Sequence, residues 1–145
     1  MIYTPKTKEA IRLAFEAHEG QTDKSGLPYI LHPLHVAEQM NDENSTVAAL
    51  LHDVVEDTPW TLEDLAERGF GPEEIEALRL LTHDDGTDYM DYVRALKSNP
   101  IAWKVKLADL AHNSDRTRLE GEPTERDLER YRKYQKAREI LMSKD

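Results

Sequence analysis

Residues 46–55 read Thr46-Val47-Ala48-Ala49-Leu50-Leu51-His52-Asp53-Val54-Val55, and their reading decides the fold. The run is apolar almost all round through Leu51, and a helix of that kind belongs at the centre of a helical domain. Ser45 stands where a cap is needed, so the spacing predicts a helix over 46–55. His52 and Asp53 interrupt the apolar run, and both side chains then have to enter the core. Burying an imidazole beside a carboxylate is costly unless something cationic compensates the pair. Glu56 and Asp57 follow, and Glu56 lies one turn beyond His52, so the two address the same space if the helix continues.

Working outward, apolar residues recur at helical spacing nearly everywhere and no stretch alternates long enough to read as a strand. The expected fold class is all-α, a single compact domain over residues 1–145 with about eight helices. Thr4 caps the first helix with Pro5 at its first position, and Ile11, Ala14, Phe15 and His18 share one face. Residues 21–32 form a turn-rich loop through Ser25-Gly26-Leu27-Pro28, and the next helix is expected from Pro33 to about Asn41. Thr61 to Asp64 resembles a capping box, Gly71-Pro72 opens a further helix, and two more are expected over 88–97 and 100–113. The last helix runs from a cap at Thr124 to about Met142. Its stripe of Leu128, Tyr131, Tyr134, Ala137 and Leu141 packs on the body or makes a homo-oligomer.

The 145 residues contain no cysteine, which excludes a disulfide scaffold, a cysteine-based zinc site and a thiol nucleophile. The formal net charge is -10, which argues against a nucleic-acid-binding surface. No membrane span is expected, nor a signal peptide, and a cytoplasmic location follows. The acidity is concentrated: residues 41–115 hold 17 acidic side chains against 6 basic ones, so carboxylates are gathered there either for solvent or for a cation.

A metal site in this chain must use His, Asp and Glu. His52-Asp53 is the first candidate, and Asp109 is the second, on a largely apolar stretch after Val105, Leu107 and Ala108. His32 adds a second imidazole where the loop meets a helix, so that His32, His52, Asp53 and Asp109 make a suitable set for one divalent ion. The other His-Asp pair, His83-Asp84, sits in the polar stretch 82–88 and reads as an exposed loop between helices. A calcium loop starting at Asp84 fails because its twelfth position is Ala95.

Four ordered motifs, Ala17-His18-Glu19-Gly20-Gln21, Lys24 to Pro33 (KSGLPYILHP), Ala48 to Thr58 (AALLHDVVEDT) and Val105 to Asp109 with His112-Asn113, resemble the HD-domain alarmone hydrolases. These are the hydrolase part of the RelA/SpoT enzymes and their small stand-alone relatives, and the resemblance covers about residues 8 to 118. It implies an HD-domain helical bundle and a metal-dependent phosphohydrolase, typically using manganese, that removes pyrophosphate from the 3' position of a nucleotide such as ppGpp. It implies His32, His52, Asp53 and Asp109 as metal ligands, Glu56 and Asp57 as the acidic pair serving the attacking water, and Lys24 and Asn113 as nucleotide contacts. His35, one turn after His32, has no place in that pattern. His18 is expected to pack or anchor the loop, His112 to serve substrate or ligands, and Lys104, Lys106 and Arg116 to be solvated, with phosphate contact as their alternative. For Asp57 the alternative is a cap on the turn before Pro59.

The chain departs from the family at Asp23, where an Arg associated with holding the base usually stands. A carboxylate there suits an amino-bearing base such as adenine, or it points to solvent. The competing expectations are therefore an HD phosphohydrolase acting on another nucleotide (ppApp, NADPH or a nucleoside monophosphate) and a catalytically silent regulatory module on the same scaffold. No alarmone synthetase is expected, because the helices fill the chain.

Overall fold

The structure, a computed structural model, describes residues 1–144, and α3 (Glu43–Leu51) is its axis. Ser45 to Leu51 are all buried, as a helix apolar on every side requires. Around it pack α1 (Pro5–Ala17), α2 (Leu31–Glu38), α6 (Pro72–Leu81) and α8 (Pro100–Asn113). Buried apolar residues from Ala10 to Leu141 form one cluster through these helices. The remaining elements are α4 (Val54–Asp57), α5 (Leu62–Glu67), α7 (Tyr89–Leu96), a 3-10 turn at Arg116–Arg118 and α9 (Glu125–Met142). Among the described residues the only β pairing is the isolated bridge between Thr22 and Pro28, and the all-α expectation holds. No helix among the described residues is long and apolar enough to cross a membrane.

Local chemistry sets most helix starts. Thr4, Thr61 and Thr124 accept the backbone N–H three residues on, and each makes a reciprocal box with Thr7, Asp64 or Asp127. Pro5, Pro72 and Pro100 occupy first-turn positions, where a missing N–H costs nothing. Two expected starts shift. α2 begins at Leu31 rather than Pro33, and α3 is capped by Asp42, whose carboxylate accepts from Ser45 N at 2.8 Å, rather than by Ser45. On α9, Ala137 and Leu141 are buried and Tyr134 packs against the cluster, so the stripe is seated on α7 and α8 of the same chain.

The expected helix over 46–55 does not run through. It breaks at His52 and Asp53, and α4 is a separate single turn, which makes nine α-helices among the described residues against the eight expected. His52 Nδ1 lies 2.6 Å from the Ala49 carbonyl, the acceptor that a continued helix would offer to the Asp53 amide. Asp53 sits at φ -103°, ψ -2°, in the bridge region between helix and strand where active-site residues often lie. Asp57 and Thr58 amides then bond back to Asp53 and Val54. The break aims His52 and Asp53 at one point.

Candidate active site

Four side chains from three places in the fold meet beside this break. His32 comes from the start of α2, His52 and Asp53 from the α3–α4 joint, and Asp109 from the last turns of α8. His32 Nε2 is 2.8 Å from Asp109 Oδ1 and 3.7 Å from Asp53 Oδ2; His52 Nε2 is 3.1 Å from Asp53 Oδ2 and 3.4 Å from Asp109 Oδ1. Ligand atoms of His32, His52 and Asp109 all fall within 4.8 Å of one another, and all three residues are buried. Asp53, Glu56 and Asp57 form an adjoining group of the same tightness at the more exposed side.

The residues fit a divalent cation. A carbonyl oxygen only accepts, so His52 Nδ1 carries a proton toward Ala49, and with an ion bound the ring would be neutral and present its Nε2 lone pair to that ion. That Nε2 is buried and makes no well-directed hydrogen bond, which leaves an orphaned ligand atom at the centre of the cluster. The electrostatics make the same demand. Burial would lower the His52 pKa, yet Asp53 and Asp109 outweigh it and hold it well above the ordinary value. Burial would raise Asp53, but His52 pulls it down to about 2. The pocket asks for positive charge between its carboxylates, and nitrogen and oxygen donors of this kind suit a divalent ion.

A surrounding layer orients these groups. The Tyr29 hydroxyl donates to Asp53 Oδ2 at 2.5 Å, and Asn113 Nδ2 donates to Asp109 Oδ1 at 3.0 Å. His32 Nδ1 is 2.7 Å from His112 Nδ1. When His32 Nε2 serves an ion as a lone pair, its Nδ1 carries the ring proton and donates it to His112. Burial, with Arg118 and His32 beside it, lowers the His112 pKa to about 4 and keeps it a neutral acceptor. His35 stacks on His112 with ring centroids 4.0 Å apart and stays out of the cluster. Replacing His112 with alanine is expected to weaken divalent-metal binding by roughly 10–100-fold, the usual loss when a ligand's orienting partner is removed. Titration of the metal into both proteins checks this, and equal affinities would remove His112 from the site.

Lys106 is the main correction to the surface picture. Its side chain is only 11% exposed, its Nζ is 2.9 Å from Asp109 Oδ2, and it lies over the Tyr89 and Tyr92 rings. His83 is a second correction. Its ring packs on Tyr92, and its backbone N–H donates to Glu56 Oε1 at 2.7 Å, so the loop holds one of the acidic pair. Since the helix stops at Leu51, Glu56 reaches the site from α4 and not along a continuous helix from His52. Asp57 makes no side-chain hydrogen bond among the described residues, and Thr58 caps α4 in its place. Burial, then Asp53 and Glu56, push the Asp57 carboxyl up to about 6.

His18 anchors the loop as expected: its Nδ1 is 2.8 Å from Gln21 Oε1, and Gln21 Nε2 donates to the Asp57 carbonyl at 3.0 Å. The metal cluster opens into a cleft walled by Glu56, Asp57, Tyr89, Lys106, Lys133 and Tyr134. Tyr29, Asn113 and Tyr134 also line a second cavity, which continues to Asp23, Lys24, Arg118, Arg130 and Tyr131. Lys24 Nζ is 3.5 Å from Asp127 Oδ1 on that wall. Asp23 does not simply point to solvent. Its Oδ1 accepts from Ser25 N and Leu27 N, fixing the turn in which Gly26 has φ +80°, and its Oδ2 is 4.0 Å from Arg118.

A helical bundle that gathers two histidines and two aspartates at a buried helix joint beside an acidic pair defines a metal-site domain of the His-Asp class. A family model described as HD domain matches residues 10–99, and the chain belongs to that family. It is 37% identical to the bifunctional (p)ppGpp synthase/hydrolase SpoT of Escherichia coli, over 74% of this chain and 17% of that protein. It is also 37% identical to a GTP pyrophosphokinase of Streptomyces coelicolor, over 92% of this chain and 16% of that protein. The chain thus spans about a sixth of these curated relatives. A solved structure described as "A metazoan ortholog of SpoT hydrolyzes ppGpp and plays a role in starvation responses" superposes with a TM-score of 0.77 at 28% identity, covering 100% of this chain and 90% of that one.

Proposed function

We propose that this chain, as one hydrolase domain over residues 1–145, removes the 3'-pyrophosphate from a ppGpp-like nucleotide in a divalent-metal-dependent reaction, with manganese as the metal. The observation that carries the reading is the meeting of His32, His52, Asp53 and Asp109 around the orphaned His52 Nε2, at the floor of a cleft walled by an acidic pair. The solved relative, described as hydrolysing ppGpp and matched over the whole of this chain, supports the same activity.

A divalent ion, when bound, stabilises phosphoryl oxygens as a Lewis acid and lowers the pKa of water from about 15.7 toward about 7. The chain's residues do the rest. In the overall reaction water adds to the phosphorus next to the 3'-oxygen, that P–O bond breaks, pyrophosphate leaves and the 3'-oxygen takes a proton. Asp57, with its pKa raised to about 6, is matched to accept the water's proton near neutral pH, and Glu56, fixed by the His83 amide, flanks it. Lys24 and Asn113 contact the nucleotide in the adjoining cavity, where Tyr131 and Tyr134 offer ring faces to a base.

Purified protein with manganese is expected to release pyrophosphate from ppGpp, and failure on every 3'-pyrophosphorylated nucleotide overturns the reading. Asp23 favours a second reading in which the base differs. Its carboxylate lines the cavity where an exocyclic amino group would find an acceptor. A panel of ppGpp, ppApp, NADPH and nucleoside monophosphates separates the two, and efficient cleavage of ppGpp alone rejects the second. A silent regulatory module is the outcome if the protein retains no metal and manganese leaves its melting temperature unchanged.

A further inference from the structure

Lys133 reaches the cleft from α9, a helix in which no sequence motif marks a site. Its Nζ lies 4.3 Å from the centre of the Tyr89 ring and 5.7 Å from that of Tyr134. The other cations nearby are matched: Lys106 by Asp109 at 2.9 Å, and Lys24 and Arg130 by Asp127 at 3.5 and 3.7 Å. Lys133 has no carboxylate within 4.0 Å among the described residues, so its charge is the unmatched one at this wall. Ring faces attract an ammonium but accept little of its hydrogen bonding, which leaves its donors to the cleft. Beside it the Tyr89 hydroxyl is buried and makes no hydrogen bond among the described residues. Burial, followed by the charges of Lys106 and Arg130, lowers the Lys133 pKa, so this wall gains from an arriving anion.

We propose that Lys133 binds the outer phosphate of the substrate's pyrophosphoryl group and so gives the site a preference for a diphosphoryl over a monophosphoryl group. The assignment rests on the hydrolase reading for its substrate and on geometry for its residue. One phosphate is satisfied at the metal cluster, whereas a second one, carried outward past Tyr89, needs a cation of its own.

The test is isothermal titration of inorganic pyrophosphate and of orthophosphate into the manganese-loaded full chain, comparing wild type, Lys133→Met and Lys133→Arg. Lys133→Met is expected to weaken pyrophosphate about tenfold, the size of one charge-assisted contact, and to leave orthophosphate within about twofold, with Lys133→Arg restoring most of the difference. Three results overturn the assignment: equal pyrophosphate affinity in wild type and Lys133→Met, an equal loss for both anions, or no pyrophosphate binding by the wild type. The titration needs no turnover. A chain that binds pyrophosphate through Lys133 yet cleaves no nucleotide keeps this assignment while the hydrolase reading falls.

Discussion

Asp53→Ala is expected to lower manganese-dependent hydrolysis by about 10³-fold, a loss of several kcal/mol at ~1.4 kcal/mol per factor of ten. Asp53 Oδ2 is the point shared by both imidazoles, 3.1 Å from His52 and 3.7 Å from His32, and it takes the Tyr29 hydroxyl. Alanine leaves two imidazoles and one carboxylate, an incomplete set, and strands the tyrosine. The same variant has a readout that needs no substrate. Manganese at about a hundred times its Kd adds ~2.7 kcal/mol to the wild type, which for a domain of this size is a rise of roughly 5–10 °C in Tm. Asp53→Ala should lose most of that rise. A variant that melts and turns over like the wild type would remove Asp53 from the site, and a wild type indifferent to manganese would remove the site itself.

Lys106→Met is expected to destabilise the protein by about 3–5 kcal/mol, the cost of breaking a buried ion pair from one side, and to lower Tm by roughly 6–20 °C. Asp109 is buried, and Lys106 is the leading opposite charge that holds its pKa well below the ordinary carboxylate value against the cost of burial. Methionine fills the space over Tyr89 and Tyr92 but leaves Asp109 facing Asp53 without its cation. Manganese should therefore recover part of the lost stability, because an ion at the cluster compensates the same carboxylates. Lys104→Met is the control. Lys104 reaches Asn41 and Asp42 at the rim, where an ion pair contributes at most about 1 kcal/mol. Thermal melts in the presence and absence of manganese decide the matter, and a Lys106→Met protein melting within a degree or two of the wild type would place Lys106 at the surface after all.

How far the sequence could be read depended on whether the deciding partner was near in the chain. The caps at Thr4, Thr61 and Thr124 and the prolines at helix starts were legible because each acts within one turn. Lys106 read as surface because lysine usually is, and its reason for burial is partly Tyr89 and Tyr92 on another helix. His83 read as an idle loop residue because its connection to Glu56 spans 27 positions. Tyr29 lies inside the Lys24 to Pro33 motif, yet its hydrogen bond to Asp53 crosses 24 positions and nothing in its neighbours announces it. Asp23 could be read as an acceptor or as solvated, and the backbone amides of Ser25 and Leu27 decided what its Oδ1 does.

By itself the sequence determined that this chain folds around 46–51 as an all-helical domain, because an apolar run with no polar face can be stable only when covered on every side. It also determined that His52, Asp53 and Asp109 need compensating charge, because polar groups set in apolar surroundings are costly alone. Only the tertiary structure decided that the helix breaks between Leu51 and Val54 and that His32 arrives opposite the break. It alone set His112 behind His32 and left Lys133 facing the cleft without a carboxylate partner among the described residues. Those facts depend on the relative placement of α2, α3, α8 and α9, and helical periodicity constrains which face each helix buries but not which helix it meets there.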